Sequence, residues 1–243
     1  MNAIAHLSAL GTNLVSDTAP RFRDRADAGV RLAKRLTAYR GQHALVLGIP
    51  RGGVPVAAEV ARALDGELDV VVARKLRSPI SAELAIGAVT SDGGRYLNES
   101  ILRQLGVSDR YIARVTQAEM AEAARRETRF RAGAAAPGIA GRVVILVDDG
   151  LATGATMIAA ARSVRGQGPA RLVIAVPVGS ADACAALRHE ADEVVCPASP
   201  EPFWAVGAYY DDFGQTEDEE VERLLQETRS RAAAPVAATA SRA

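Results

Sequence analysis

Residues 144–156 read VILVDDGLATGAT, and this stretch decides the fold. Four apolar residues run directly into Asp148 and Asp149, and a loop of small residues then leads into an alanine-rich segment. A continuous apolar run is typical of a buried parallel strand, and a helix is expected to follow the loop. The stretch therefore predicts a strand–loop–helix unit of an α/β protein, with two carboxylates at the end of the strand.

The loop between this strand and helix is a predicted phosphate site. It consists of Ala152, Thr153, Gly154, Ala155 and Thr156. The start of a helix presents unpaired backbone N–H groups and the positive end of the helix dipole, and both attract an anion. The adjacent carboxylates of Asp148 and Asp149 are able to accept hydrogen bonds from two hydroxyl groups. A phosphate and a vicinal diol at this separation describe a ribose 5-phosphate.

The same stretch resembles the motif that binds 5-phosphoribosyl 1-diphosphate (PRPP) in type I phosphoribosyltransferases. That motif has four apolar residues, two acids, two or three small or apolar residues, and Thr-Gly-x-Thr. Residues 44–227 also resemble one bacterial branch of the family, with the blocks PRGG, RKL, ELAIGAV, DDGLATGATM and EPFWAVG in this order. The resemblance implies an open, mostly parallel twisted sheet flanked by helices. It also implies PRPP and Mg²⁺ as ligands, and a homodimer.

Composition narrows the class of protein. The 243 residues include 29 Lys and Arg and 29 Asp and Glu, so the charge balance does not favour nucleic acid or an anionic membrane as a partner. Apolar runs such as 172–179 are too short to span a bilayer. The two cysteines form no CxxC pair, and the three histidines are scattered, which argues against a zinc site. We expect a cytoplasmic protein.

Strands and helices alternate over residues 142–196, and such alternation predicts a parallel sheet with right-handed crossovers. Ligands of such sheets bind at the carboxyl ends of the strands. The predicted divisions are a mobile leader at 1–20, a phosphoribosyltransferase domain at 21–229 with a helical insertion at about 97–135 and a hood at about 197–228, and a disordered tail at 230–243.

Two further motifs follow predicted strands and are candidates for binding pyrophosphate. Pro50-Arg51-Gly52-Gly53 follows a strand at 44–48, and Arg74-Lys75 ends a strand at 68–73. The resemblance implies that Arg51, Gly52 and Gly53 bind the pyrophosphate of PRPP, with a cis peptide at Arg51–Gly52. Two cations at a strand end suit a diphosphate leaving group. The alternatives are an ordinary turn for the first motif and a solvated strand end for the second.

Loop 76–84 resembles the flexible catalytic loop of the family, which closes over the reacting sugar. Glu83 is the only acid in this loop. The motif LATG around Ala152 also resembles that of adenine phosphoribosyltransferases, which carry a loop glutamate near the base. Glu83 is therefore the candidate general acid/base, and a surface glutamate is the competing interpretation.

Aromatic residues are concentrated in the segment that contains Phe203 and Trp204. This segment and Asp211 resemble the base-binding segment of hypoxanthine-guanine phosphoribosyltransferases, and aromatic faces stack on flat heterocycles. Those enzymes also supply a lysine on the preceding strand, but residues 172–179 contain none, which argues against a 6-oxopurine. Packing in the core is the alternative for both aromatic residues.

We therefore predict an enzyme of nucleotide metabolism that transfers a 5-phosphoribosyl group from PRPP to a nitrogenous, purine-like acceptor and releases pyrophosphate. Glu83, Asp148 and Asp149 are the predicted catalytic residues. Mg²⁺ is predicted to bind through the substrate, with the two aspartates as candidate ligands. The alternatives are a regulatory protein that senses PRPP or a nucleotide, and an enzyme with a non-purine acceptor.

Overall fold

Apolar runs of the sequence form the strands of a parallel sheet. The computed structural model describes residues 21–233. Its strands are β1 (Leu45–Gly48), β2 (Glu67–Val70), β3 (Ala73–Arg77), β4 (Ala85–Thr90), β5 (Arg95–Leu97), β6 (Val143–Val147), β7 (Arg171–Ala175) and β8 (Glu193–Val195). Five of them pair in parallel in the order β2-β1-β6-β7-β8. The predicted open parallel sheet is confirmed.

Helices cover both faces of this sheet, because its strands are apolar on both sides. They are α1 (Arg25–Ala33), α2 (Gly53–Leu64), α3 (Glu99–Leu105), α4 (Asp109–Arg131), α5 (Ala155–Gly166), α6 (Ala181–Leu187) and α7 (Asp218–Ala233). Buried side chains of α1, α2 and α7 pack on one face, and those of α5 and α6 pack on the other. The carboxyl edge of the sheet stays free of these two layers and is where the candidate site lies.

The Arg74-Lys75 motif, predicted to end a strand at 68–73, does not end a parallel strand. The strand predicted at 68–73 stops at Val70, and β3 instead pairs antiparallel with β4, which pairs with β5. The chain leaves the parallel sheet because Leu76 of β3 is fully buried in a separate core with residues of β4, α3 and α4. Arg74 and Lys75 therefore lie within a strand of a second sheet.

The first helix is shorter than the sequence pattern predicts. The pattern of apolar residues extends from Asp24 to Arg40, but α1 ends at Ala33 and a 3₁₀ turn follows at Thr37–Tyr39. Leu36 and Tyr39 are both buried in the core formed with α2. The change of direction after α1 allows these side chains to reach that core.

Helices α4 and α7 are both hydrogen-bonded to the edge strand β2 through the side chain of Asp69, which is 1% exposed. Its carboxylate accepts hydrogen bonds from Arg131 Nε at 2.8 Å and from Arg229 at 3.4 Å. Two partners compensate for burying this charge, and removing either would leave it poorly solvated.

The predicted leader and tail can be compared with the structure only in part. The tail predicted from residue 230 overlaps the end of α7, which continues to Ala233. The predicted leader at 1–20 and residues 234–243 lie outside the described residues. Within residues 21–233, no helix is both long enough and apolar enough to cross a membrane.

Candidate active site

The loop predicted to bind phosphate lies between β6 and α5 and is held at both ends. Leu151 N–H donates to Val178 O at 3.0 Å, and Ser180 Oγ donates to Ala152 O at 2.8 Å. Gly154 caps α5 with a φ of 74°, a left-handed conformation that glycine adopts without steric cost. The first helical bond runs from Ile158 N to Gly154 O, so the preceding N–H groups are available to an anion.

Residues from several strand ends surround a cavity of about 370 Å³, which we call the sugar-phosphate cavity. Its polar and charged lining comprises Arg74, Lys75, Arg77, Asp148, Thr153 and Thr156. Of the five predicted loop residues, Ala152, Thr153, Gly154 and Thr156 contribute to the wall, whereas Ala155 does not. One cavity therefore brings together the phosphate-type loop, an acid and three cations.

Two glycines allow the turn after β1 to approach the acid pair. A Cβ on Gly52 would lie 2.0 Å from Asp149 Oδ2, and a Cβ on Gly53 would lie 2.7 Å from Val147 O. Any other residue at either position would collide with the end of β6. The cis peptide is at Pro50–Arg51, one bond earlier than the resemblance implied.

The two acids have different surroundings. Asp148 lines the sugar-phosphate cavity, and its Oδ1 accepts a hydrogen bond from Asp149 N at 2.8 Å. Burial, and then the charge of Asp149, raise the pKa of Asp148 well above its usual range. Burial also raises the pKa of Asp149, although the hydrogen bond from Arg25 Nε opposes that shift. A cation or hydroxyl donors at Asp148 would relieve the cost of its buried charge.

The basic part of the wall of the sugar-phosphate cavity is formed by residues of β3. Arg74 Nε lies 2.8 Å from Glu119 Oε2 of α4, which holds this guanidinium at the edge of the cavity. Lys75 and Arg77 line the same cavity, and the charge of Lys75 acts to lower the pKa of Asp148. Cations that line the same cavity as a phosphate-type loop suit a ligand with phosphates at both ends.

Arg51 is oriented differently from the other predicted pyrophosphate ligands. Its guanidinium lies 3.4 Å from Glu217 and 3.5 Å from Asp218, at the start of α7. Arg51 does not line the sugar-phosphate cavity. Gly52 and Gly53 do not line it either, but their main chain lies against the acid pair, since a Cβ on Gly53 would be 3.0 Å from Asp148 Oδ1.

Phe203 and Trp204 line a second cavity of about 520 Å³, which we call the aromatic cavity. Ala152 and Thr153 belong to the walls of both cavities, so the two spaces adjoin at the phosphate-type loop. The Phe203 ring stacks on Tyr209 at 5.3 Å, whereas Trp204 is 65% exposed. The aromatic cavity thus offers a free indole face beside the predicted sugar-phosphate site.

Glu83 and Asp211, two further predicted residues, also lie outside both cavities. Asp211 forms an ion pair with Arg21, and its N–H donates to Phe22 O at 2.8 Å. Glu83 is exposed on the loop after β3, which is closed by the hydrogen bond from Ser78 N to Leu84 O at 2.8 Å. In this geometry neither carboxylate belongs to the wall of the sugar-phosphate cavity or of the aromatic cavity.

Sequence reasoning missed three residues near the acid pair. Arg25 pairs with Asp149, and Tyr210 Oη donates to Asp149 O at 2.6 Å. Val206 lies against Gly150, where a Cβ would be 2.5 Å from its side chain. Val206 belongs to the EPFWAVG block, but no local pattern indicates that these three residues lie near the acid pair, because each is far from Asp149 in sequence and is brought there by packing.

No cluster of three or more His, Cys, Asp or Glu side chains capable of holding a metal occurs among residues 21–233. A lone carboxylate in the wall of a cavity that also contains a phosphate-type loop does fit Mg²⁺, which commonly binds through one or two carboxylates and substrate phosphates. The donor set therefore fits a metal that arrives with its substrate better than a permanently bound one.

An open parallel sheet with a phosphate-type loop and an acid at its carboxyl edge defines a class of α/β proteins that bind sugar phosphates or nucleotides there. A family model described as the phosphoribosyl transferase domain matches residues 23–213. This chain belongs to the phosphoribosyl transferase family, and the predicted family is confirmed.

Relatives with high sequence identity agree with this assignment. Proteins from Mycobacterium tuberculosis strains CDC 1551 and H37Rv, both bearing the name of a phosphoribosyl transferase, are 47% identical over 204 residues. The match covers 84% of this chain and 46% of each relative, so the chain spans less than half of their length. The crystal structure of TT1426 from Thermus thermophilus is 46% identical, covers 85% of this chain and 98% of its own, and has a TM-score of 0.73.

Proposed function

We propose that this chain is an enzyme that transfers the 5-phosphoribosyl group of PRPP to a nitrogenous, purine-like acceptor and releases pyrophosphate. The observation that carries the proposal is the sugar-phosphate cavity, which is lined together by the start of α5, Asp148 and the cations of β3. Family membership supports a transferase.

The shape of PRPP matches the order of these groups. Its 5-phosphate would accept hydrogen bonds from the N–H groups at the start of α5 and from the hydroxyls of Thr153 and Thr156. Its ribose hydroxyls would donate to Asp148, whose carboxylate lies in the same wall. Its pyrophosphate would lie against Arg74, Lys75 and Arg77.

Transfer breaks the bond from C1 to the diphosphate oxygen and forms a bond from C1 to the acceptor nitrogen, with inversion at C1. The electron pair of the broken bond leaves with the diphosphate, and the cations of β3 stabilise that charge as it develops. The two cavities adjoin at Ala152 and Thr153, which would hold the sugar and the acceptor next to each other.

Glu83 remains the candidate base for the proton that the acceptor nitrogen loses. Its loop begins directly after Arg77, a residue of the cavity wall, so closure of the loop would bring Glu83 over the sugar and exclude water. Glu83→Gln should lower kcat roughly 10²- to 10⁴-fold, the range for general acid/base catalysis. An unchanged kcat would remove Glu83 from the mechanism.

Mg²⁺ would be held by Asp148, with Asp149 as the second candidate ligand, and by the phosphates of PRPP, where it would neutralise charge on the leaving group. PRPP binding should therefore strengthen with Mg²⁺ and should not require zinc. Titration of PRPP with and without excess EDTA tests this role. Equal affinity and equal turnover in both conditions would contradict it.

The acceptor is proposed to stack on Trp204, whose indole is exposed beside the phosphate-type loop. The absence of a lysine from residues 172–179 favours a ring without a 6-oxo group. Asp211 remains a proposed acceptor contact only if the hood, residues 197–228, rearranges, because its carboxylate is paired with Arg21 in the described geometry.

The test is to incubate the protein with PRPP, Mg²⁺ and a panel of purines, pyrimidines and other nitrogenous bases, and to measure pyrophosphate. We expect release that depends on one base or a narrow group of bases. Tight PRPP binding without release for any base would favour the alternative, a protein that senses PRPP or a nucleotide. A homodimer and a cytoplasmic location also remain proposals, and sedimentation velocity tests the first.

A further inference from the structure

Arg25, on the first helix, joins three parts of the molecule that are distant in sequence. Its Nε lies 2.8 Å from Asp149 Oδ2, and one terminal nitrogen donates to Gly214 O at 2.6 Å. Its guanidinium also lies 4.0 Å from the centre of the Phe213 ring. Arg25 therefore connects α1, the acid pair and the hood with a single planar group.

The ion pair is shielded from water, which separates it from an ordinary surface contact. The side chains of Arg25 and Asp149 are 13% and 15% exposed. Gly52 lies so close that a Cβ there would be 3.0 Å from Arg25 Nε. A desolvated and well-aligned pair holds its geometry far better than an exposed one.

The pairing makes the two acids unequal. Asp148 lines the sugar-phosphate cavity, whereas Asp149 does not and points one carboxylate oxygen at Arg25. The carbonyl of Asp149 is also occupied, because Tyr210 Oη donates to it at 2.6 Å. Asp149 is thus held by Arg25 of α1 through its carboxylate and by Tyr210 of the hood through its main-chain carbonyl.

We propose that Arg25 is a positioning residue, which fixes Asp149 and ties the hood to the carboxyl edge of the sheet, so that Asp148 receives the sugar hydroxyls in a fixed orientation. This inference rests on the proposed function, because it assigns the roles of the two acids towards the phosphoribosyl group.

Only a guanidinium group, with several N–H donors in one plane, makes the contacts to Asp149 and to Gly214 O at the same time. Arginine directs Nε at Asp149 and a terminal nitrogen at Gly214 O, whereas the single ammonium group of lysine reaches one of them at a time. Arg25→Lys therefore separates the charge at Asp149 from the bridge to the hood. Arg25→Gln removes the charge.

The experiment measures ribose 5-phosphate binding by calorimetry for wild type, Arg25→Gln, Asp149→Asn and the double variant. Each single change should weaken binding roughly 10- to 100-fold, the loss seen when partners that orient metal ligands are removed. The double variant should bind no more weakly than the weaker single variant, because both changes break the same contact. Arg23→Gln is the matched control, since its side chain is 77% exposed and forms an ion pair with Asp27, at 3.9 Å, instead of with the acid pair.

A second readout reports on the hood. Trp204 is the only tryptophan of the chain and lies in the hood. Its emission should change in Arg25→Gln and Arg25→Lys but stay as in wild type in Arg23→Gln. Arg25→Lys should recover most of the sugar-phosphate affinity while keeping the altered emission, since it restores the charge but not the bridge.

Wild-type affinity for ribose 5-phosphate from a folded Arg25→Gln variant, or losses that multiply in the double variant, would overturn the inference. If Arg25→Gln does not fold, Asp149→Asn alone tests the affinity and Arg25→Lys tests the bridge, and wild-type affinity in the first or unaltered Trp204 emission in the second would count equally against the inference. Wild-type protein that binds neither ribose 5-phosphate nor PRPP would instead contradict the proposed function.

Discussion

The sugar-phosphate cavity and the aromatic cavity adjoin but are built in different ways. The first is walled by the end of β6, the start of α5 and the strand β3, so regular secondary structure places its groups. The second is walled by α6 and by loop residues of the hood, with Trp204 65% exposed. We infer that the fold fixes the half of the substrate common to the family, whereas loop side chains determine the acceptor.

The two cavities also differ in the charge of their lining residues. Arg74, Lys75 and Arg77 face Asp148 in the sugar-phosphate cavity, and burial raises the pKa of that acid. The aromatic cavity has Asp182 as its charged lining residue. The first cavity suits phosphates and a metal ion, and the second suits a flat and mostly uncharged ring. Substitutions in the first cavity should therefore affect binding of the sugar phosphate, and substitutions in the second should affect binding of the ring of the same ligand.

The largest effect is expected in the sugar-phosphate cavity. Asp148→Asn combined with Asp149→Asn should leave the fold intact and weaken PRPP binding severely, since each lost charge-assisted hydrogen bond costs roughly 1.5–3 kcal/mol. Calorimetric titration of the double variant measures this, with circular dichroism as the check on folding. Unchanged PRPP affinity would remove the acid pair from the binding site.

An intermediate effect is expected in the aromatic cavity. Trp204→Ala should weaken nucleoside monophosphate binding roughly 5- to 150-fold, because a stacked base is worth about 1–3 kcal/mol. Affinity for ribose 5-phosphate, which has no base, should barely change. The monophosphate and not the sugar phosphate should quench Trp204 fluorescence in wild type. Equal losses for both ligands would mean that Trp204 is a packing residue.

The smallest effect is expected for Asp211, which lies outside both cavities and forms an exposed ion pair with Arg21. Asp211→Asn should change the free energy of unfolding by about 0–1 kcal/mol, as for other exposed pairs. Urea denaturation measures that change. A selective loss of monophosphate affinity, with ribose 5-phosphate binding retained, would show instead that the hood moves and brings Asp211 to the acceptor.

The sequence predicts the first cavity better than the second for a physical reason. The apolar run at 144–147 and the glycine at 154 encode local main-chain structure, and the structure forms β6 and a left-handed cap at these positions. Strand ends of a parallel sheet meet at one edge, so a correct local prediction also placed the loop and Asp148 at the site.

Partners that depend on tertiary packing were not predictable in this way. Arg25 meets Asp149 across 124 residues, and its helix shows only an ordinary amphipathic pattern. Arg51 turns to the acids at the start of α7, although its loop was placed correctly. Arg74 and Lys75 were predicted to end a single strand at 68–73, but the chain forms two strands there and both residues lie in β3, because β-branched residues do not reveal which neighbour a strand pairs with.

We propose that the loop between β6 and α5 and the acid beside it bind a phosphoribosyl group, and a crystal structure of the protein with ribose 5-phosphate is the sharpest test. We expect the phosphate on the N–H groups and hydroxyls of residues 153–156, and the ribose hydroxyls on Asp148. A sugar phosphate bound elsewhere, or one bound in the reverse direction with its phosphate on β3, would contradict the account.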